Sequence, residues 1–85
     1  MNSEEQIRMY GVTWCGDCKR SKRVFSDMQV PYIWYDLDKD PRAAEFVKSV
    51  NQGMRRVPTI VFPDGSMLME PPDDILRAKL QEYQR

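Results

Sequence analysis

The chain has 85 residues, enough for one small domain and too few for two. Thirteen Lys and Arg balance thirteen Asp and Glu, which removes any overall field toward nucleic acid or anionic lipid. The absence of histidine excludes Cys-His nucleophilic chemistry and Cys/His zinc sites.

In chain order, residues 1–6 are acidic and polar with no apolar run behind them. That reads as neither signal peptide nor membrane span, so a cytoplasmic domain covering residues 1–85 is expected. Residues 7–10 form a short strand that Gly11 ends, and Thr13 and Trp14 lead on to a helix from Cys15. Cys18, Ser21, Phe25 and Met28 recur on one helical face, with Lys19, Lys22 and Arg23 largely elsewhere. Val30 and Pro31 break this helix. Residues 32–37 are β-branched and aromatic enough for a strand buried on both faces, paired parallel to the first in a β-α-β unit.

Asp40 before Pro41 predicts an N-cap with proline at the first helical position, and Ala43, Phe46, Val47 and Val50 form the core-facing stripe up to Asn51-Gln52-Gly53. Residues 59–62 and 67–69 flank Pro63-Asp64-Gly65-Ser66 as a hairpin. Pro71-Pro72-Asp73-Asp74 opens a last helix with an apolar side of Ile75, Leu76, Leu80 and Tyr83. Asp36, Asp38 and Asp40 alternate as in a calcium loop, but Pro41 and Val47 stand where that loop needs glycine and glutamate. They are read as strand-end and cap residues, and no metal site is expected.

The chemistry converges on Cys15 and Cys18, three residues apart between strand and helix. A staple this short constrains an unfolded chain little, whereas the spacing lets the sulfurs meet across one turn. Cys15 falls at the helix tip, where unpaired N–H groups and the macrodipole favour a thiolate. Cys18 lies one turn on and inward. Asp17 opposes a thiolate, while Lys19, Arg20 and Lys22 act the other way.

Trp14-Cys15-Gly16-Asp17-Cys18, together with Arg56-Val57-Pro58-Thr59, makes the chain similar to the glutaredoxin/thioredoxin superfamily. It most resembles the small glutaredoxin-like proteins called mycoredoxins. The resemblance runs from residue 7 to about 80. It implies an α/β thioredoxin fold, a four-stranded mixed sheet with three helices in the order β-α-β-α-β-β-α, and a thiol-disulfide oxidoreductase that reduces mixed disulfides between proteins and a low-molecular-weight thiol. Cys15 attacks and Cys18 resolves or guards. Pro58 matches the cis-proline beside the cysteine pair, which leaves the Val57 backbone for substrate.

The remaining substrate- and thiol-binding residues implied are Thr13, Trp14, Gly16 and Asp17, then Arg55 and Arg56 to grip a thiol's carboxylate, and Asp73 and Asp74 to meet an ammonium or sugar hydroxyls. Glutathione-binding glutaredoxins resemble Gly-Gly-x-Asp-Asp at the last helix, where this chain has Glu70-Pro71-Pro72-Asp73-Asp74. Many also carry a lysine where Val12 stands. Those departures favour mycothiol over glutathione as co-substrate, with no tightly bound cofactor. The expected partners are thiol-modified or disulfide-containing proteins, and the expected state is a monomer. Two alternatives implied by the resemblance are an iron-sulfur cluster carrier and a thioredoxin-like electron donor served by a flavoprotein reductase.

Overall fold

The computed structural model describes residues 6–84; residues 1–5, most of the acidic leading stretch, lie outside the described residues. Four strands and three α-helices follow one another as β1 (Arg8–Gly11), α1 (Gly16–Met28), β2 (Ile33–Asp36), α2 (Pro41–Val50), β3 (Thr59–Val61), β4 (Met67–Met69) and α3 (Asp73–Leu80), and a 3₁₀ turn (Gln81–Tyr83) closes the chain. The sheet order is β2-β1-β3-β4. β1 and β2 run parallel, as a β-α-β unit requires, and β1–β3 and β3–β4 are antiparallel.

The two-residue period of the central strands divides the interior into two cores. Met9 and Ile60 face one side, where they join Val24 and Phe25 of α1 and Leu76 and Leu80 of α3. Tyr10 and Val61 face the other, with Ala43 and Val47 of α2. Helices therefore cover both faces of a small sheet.

Asp40 caps α2 as its position before Pro41 predicts, its carboxylate accepting from the N–H groups of Arg42 at 3.0 Å and Ala43 at 3.3 Å. In the β3–β4 hairpin, Gly65 takes a positive φ of 89° at the tip, and Phe62 N–H donates to the Ser66 carbonyl at 2.9 Å.

Three expectations are corrected. Residues 32–37 do not form a strand buried on both faces: β2 is an edge strand, bonded only to β1, and Ile33, Trp34, Tyr35 and Asp36 are all half-buried. Ile75 does not belong to the buried side of α3. It is 48% exposed, because Leu76 and Leu80, four apart, already fill the space over the sheet. Gly11 does not stop β1 but is its last rung, paired with Asp36. Lying two residues after Met9, it faces α1, and a Cβ there would stand 2.5 Å from Cys18 Sγ and 2.9 Å from Trp34 Cη2. Real Cβ atoms do not approach other atoms so closely, so glycine is needed for helix and sheet to meet at this point.

Candidate active site

The turn after β1 delivers Cys15 to the N-cap of α1. Its backbone is extended, its N–H bonds the Val12 carbonyl at 3.4 Å, and its sulfur accepts the N–H of Cys18 at 3.3 Å. Cys15 is half-buried with an open side, and its thiol points at the Val57 carbonyl, 3.9 Å away. Cys18 is one turn further in and fully buried against Gly11. Both are free thiols.

Burial pushes the Cys18 thiol up to about 12, and the nearby Cys15 sulfur adds to the rise. A backbone hydrogen bond at Val12 and the Lys22 charge oppose it. Burial thus keeps Cys18 a neutral thiol at neutral pH. Substoichiometric iodoacetamide at pH 6–8 is expected to label Cys15 and leave Cys18 intact, as read by peptide mapping; label found mainly on Cys18 would reverse the roles of the two sulfurs.

The loop opposite Cys15 is braced from several sides. The Val57–Pro58 peptide bond is cis and Pro58 is buried. The Pro58 carbonyl accepts the Glu70 N–H at 2.8 Å. Thr59 Oγ1 donates to the Arg56 carbonyl at 2.7 Å, and buried Asn51, at the end of α2, donates to Thr59 Oγ1 at 3.3 Å and to the Val47 carbonyl at 2.8 Å. Leaving such a buried polar group unpaired costs about 1–3 kcal/mol, so this network holds the loop in place. Its parts were hidden in the sequence. Asn51 reads there only as a helix stop, and Thr59 only as the start of a strand.

Trp14 is 71% exposed beside Cys15, yet its indole N–H donates to Asp38 at 2.8 Å, which fixes an apolar plate at the mouth of the site. That bond and Arg55 hold the Asp38 carboxyl below its usual value. Met54, 61% exposed, adds a further apolar surface on the same loop as Arg55 and Arg56. Thr13 and Gly16 are exposed at the tip, and nothing lies within 4 Å of where a Gly16 Cβ would stand, so sterics do not demand glycine there.

Every arginine expected at the mouth holds a carboxylate of the chain itself. Arg55 pairs with Asp38 at 3.3 Å, and Arg56 with Glu70 at 2.9 Å. Arg20 lies between Asp17 at 2.9 Å and Asp73 at 3.1 Å, so α1 and α3 are tied across the front of the site. Asp73 is thus already engaged, whereas Asp74 is exposed and enters no ion pair among the described residues. Asp36 accepts the Asp38 N–H at 2.9 Å and Asp40 caps α2, so the alternating aspartates have structural work.

Set beside known proteins, residues 7–67 match the family model described as Glutaredoxin. A glutaredoxin-like protein of Mycobacterium tuberculosis (strain H37Rv) is 43% identical over 74 residues, spanning 87% of this chain and 88% of that protein. Mycoredoxin 1 of Corynebacterium glutamicum is 35% identical over 65 residues, spanning 76% of this chain and 80% of the other. Among solved structures, a mutant of the thioredoxin-like protein BC3987 superposes with a TM-score of 0.78 over 91% of this chain and 96% of its own, at 23% identity. An identity that low speaks for the fold alone, and the fold is thioredoxin-like.

Proposed function

The chain belongs to the glutaredoxin family of thiol-disulfide oxidoreductases, and from that premise we propose that it removes low-molecular-weight thiols from proteins by way of a mixed disulfide on Cys15. The observation that carries this reading is the asymmetry of the two sulfurs. Cys15 is open to a substrate and receives the Cys18 N–H, while Cys18 waits fully buried one turn behind.

In the first step the Cys15 thiolate attacks the small-thiol sulfur of protein–S–S–R. A Cys15–S–S–R bond forms, the protein sulfur leaves with the electron pair, and it takes up a proton. In the second step the mixed disulfide is cleared in one of two ways. A second thiol, attacking as RS⁻ after losing its proton, forms RS–SR with R's sulfur and returns Cys15 as thiolate. Alternatively Cys18, after losing its proton, attacks the Cys15 sulfur to give a Cys15–Cys18 disulfide and RS⁻, which takes up a proton. The exposed Trp14 plate, the braced Val57 backbone and the open tip at Thr13 and Gly16 form the surface on which the substrate is received.

The small thiol favoured is mycothiol, with glutathione disfavoured. Glutathione brings two carboxylates, but Arg20, Arg55 and Arg56 are each neutralised within the chain, and Pro71 and Pro72 have no N–H to offer. A sugar-bearing thiol needs hydrogen-bond partners more than free cations, and the exposed Asp74 carboxylate supplies acceptors. The relationship to a protein named mycoredoxin 1 agrees with this choice. The protein acts as a cytoplasmic monomer of one domain.

Reducing the oxidised protein with each thiol at matched concentration and redox poise tests the preference. Mycothiol is expected to be at least about tenfold faster, a difference that requires only about 1.4 kcal/mol. Glu70→Ala, which frees Arg56, should then raise the glutathione rate more than the mycothiol rate. Equal rates for both thiols in the parent protein would remove the preference. A much faster reaction with a flavoprotein reductase would remove the small-thiol route itself.

A further inference from the structure

Beneath the catalytic pair lies a cluster that the first half of the reaction does not use. The register pairs Trp34 with Met9, so the indole lies on the α1 face of the sheet. Its far edge and Cys18 Sγ both come within 3 Å of the point where a Gly11 side chain would begin, with Cη2 at 2.9 Å and the sulfur at 2.5 Å. Ring edge and sulfur therefore share the space above Gly11, a sulfur–aromatic neighbourhood.

On the face of the same ring sits Lys22, its Nζ 3.6 Å from the ring centroid. Lys22 follows Cys18 by four residues, one turn along α1, and instead of lying clear of the Cys18 face as its sequence position suggested, it is half-buried against Trp34. It makes no ion pair among the described residues, unlike Arg20 two positions before it.

The geometry points to Lys22, seated on Trp34, as the positioning cation for Cys18: it serves the second displacement, in which Cys18 clears the mixed disulfide from Cys15. Cys18 must lose its proton to attack. Its electron pair then forms the Cys15–Cys18 bond, the Cys15–S–R bond breaks, and R–S⁻ leaves with that pair and takes up a proton. Cys18 is oxidised and R's sulfur is reduced, with no other reactant.

Burial opposes the ionisation that this step needs, and the groups around Cys18 give little relief. β2 presents the neutral Trp34, and the turn after β1 contributes a backbone hydrogen bond at Val12. On α1 itself the titratable groups acting on Cys18 are Cys15 and Lys22, and the Lys22 charge is the one that favours the thiolate. Trp34 holds this ammonium on its ring face while its far edge shares the space above Gly11 with the sulfur, and among the described residues no carboxylate pairs with the ammonium. The arrangement rests on the assignment of Cys15 as attacking and Cys18 as resolving sulfur.

The test separates the two displacements. Reduced protein is mixed with one equivalent of 5,5′-dithiobis(2-nitrobenzoate): the first thionitrobenzoate released reports attack by Cys15, and the second reports attack by Cys18 on the adduct. Lys22→Arg keeps the charge, Lys22→Met removes it while retaining an apolar stem over Trp34, and Lys22→Glu reverses it. The smaller ionised share of Cys18 is partly offset by the greater nucleophilicity of a more basic thiolate, so the second release should slow by about threefold in Lys22→Met and about tenfold in Lys22→Glu. Lys22→Arg is expected to stay near the parent rate, and the first release to stay within about twofold throughout.

Second-release rates that ignore the charge at position 22, or Lys22→Arg as slow as Lys22→Met, would overturn the proposal while leaving the Cys15–Cys18 assignment intact. Slowing of both releases to the same extent would also overturn it, because that marks a general structural loss. A first release mapped to Cys18 would overturn the assignment and the proposal together.

Discussion

Cys15→Ser is expected to reduce the cleavage of a small mixed disulfide to the uncatalysed rate, while Cys18→Ser keeps most of it. The open sulfur at the N-cap is the one a substrate reaches, and a serine hydroxyl there neither attacks a disulfide nor leaves from one. Cys18 is fully buried, so in a reaction with free thiol present its task is taken over by a second thiol molecule. The measurement is initial rate with each variant under the same thiol concentration, with thermal unfolding as a check that the buried serine is tolerated. Equal loss in both variants would establish an obligatory two-cysteine route. Equal retention would show that catalysis lies elsewhere.

Gly11→Ala should be the most damaging single methyl that can be added near the site. The new Cβ would lie 2.5 Å from Cys18 Sγ and 2.9 Å from Trp34 Cη2, between a short-tethered sulfur on α1 and a large ring on β2. Overpacking of this kind costs about 1–3 kcal/mol. In a domain of this size each kcal/mol lowers Tm by about 4–8 °C. The cost is coupled to the ring, so in a double-mutant cycle Gly11→Ala combined with Trp34→Leu should lose less than the sum of the two single changes. An unchanged Tm for Gly11→Ala would show that α1 slides away without cost and that the close approach is not required. Where α1 does shift, Cys18 moves with it, and two-cysteine turnover should fall more than reduction by free thiol.

Much of the fold was legible because its signals are local. The Asp40-Pro41 start of α2, the turn at Pro63-Asp64-Gly65-Ser66 and the i, i+3, i+7 recurrence of Cys18, Ser21 and Phe25 each need only a few neighbouring residues to act. The edge position of β2 was not legible. A run such as Ile33-Trp34-Tyr35 suits a strand with two covered faces, and only the order in which strands join the sheet decides that it has one neighbour.

The same division runs through the site. Spacing alone placed Cys15 at a helix tip and Cys18 one turn inward, because helical geometry converts three residues into one turn, and the resemblance supplied a cis-proline at Pro58. Which charges meet was beyond the sequence. Arg55 reaches back 17 positions to Asp38, Arg56 reaches forward to Glu70, and Arg20 crosses 53 positions to Asp73. Gly11 likewise reads as a strand stop until Cys18 and Trp34, distant in the chain, are seen to share the space above it. Local sequence thus determined the elements and the order of the two sulfurs. Long-range packing decided which cations are already paired, how the Val57–Pro58 loop is braced and what surrounds the buried thiol, since ion pairs and close contacts depend on where distant segments are brought together.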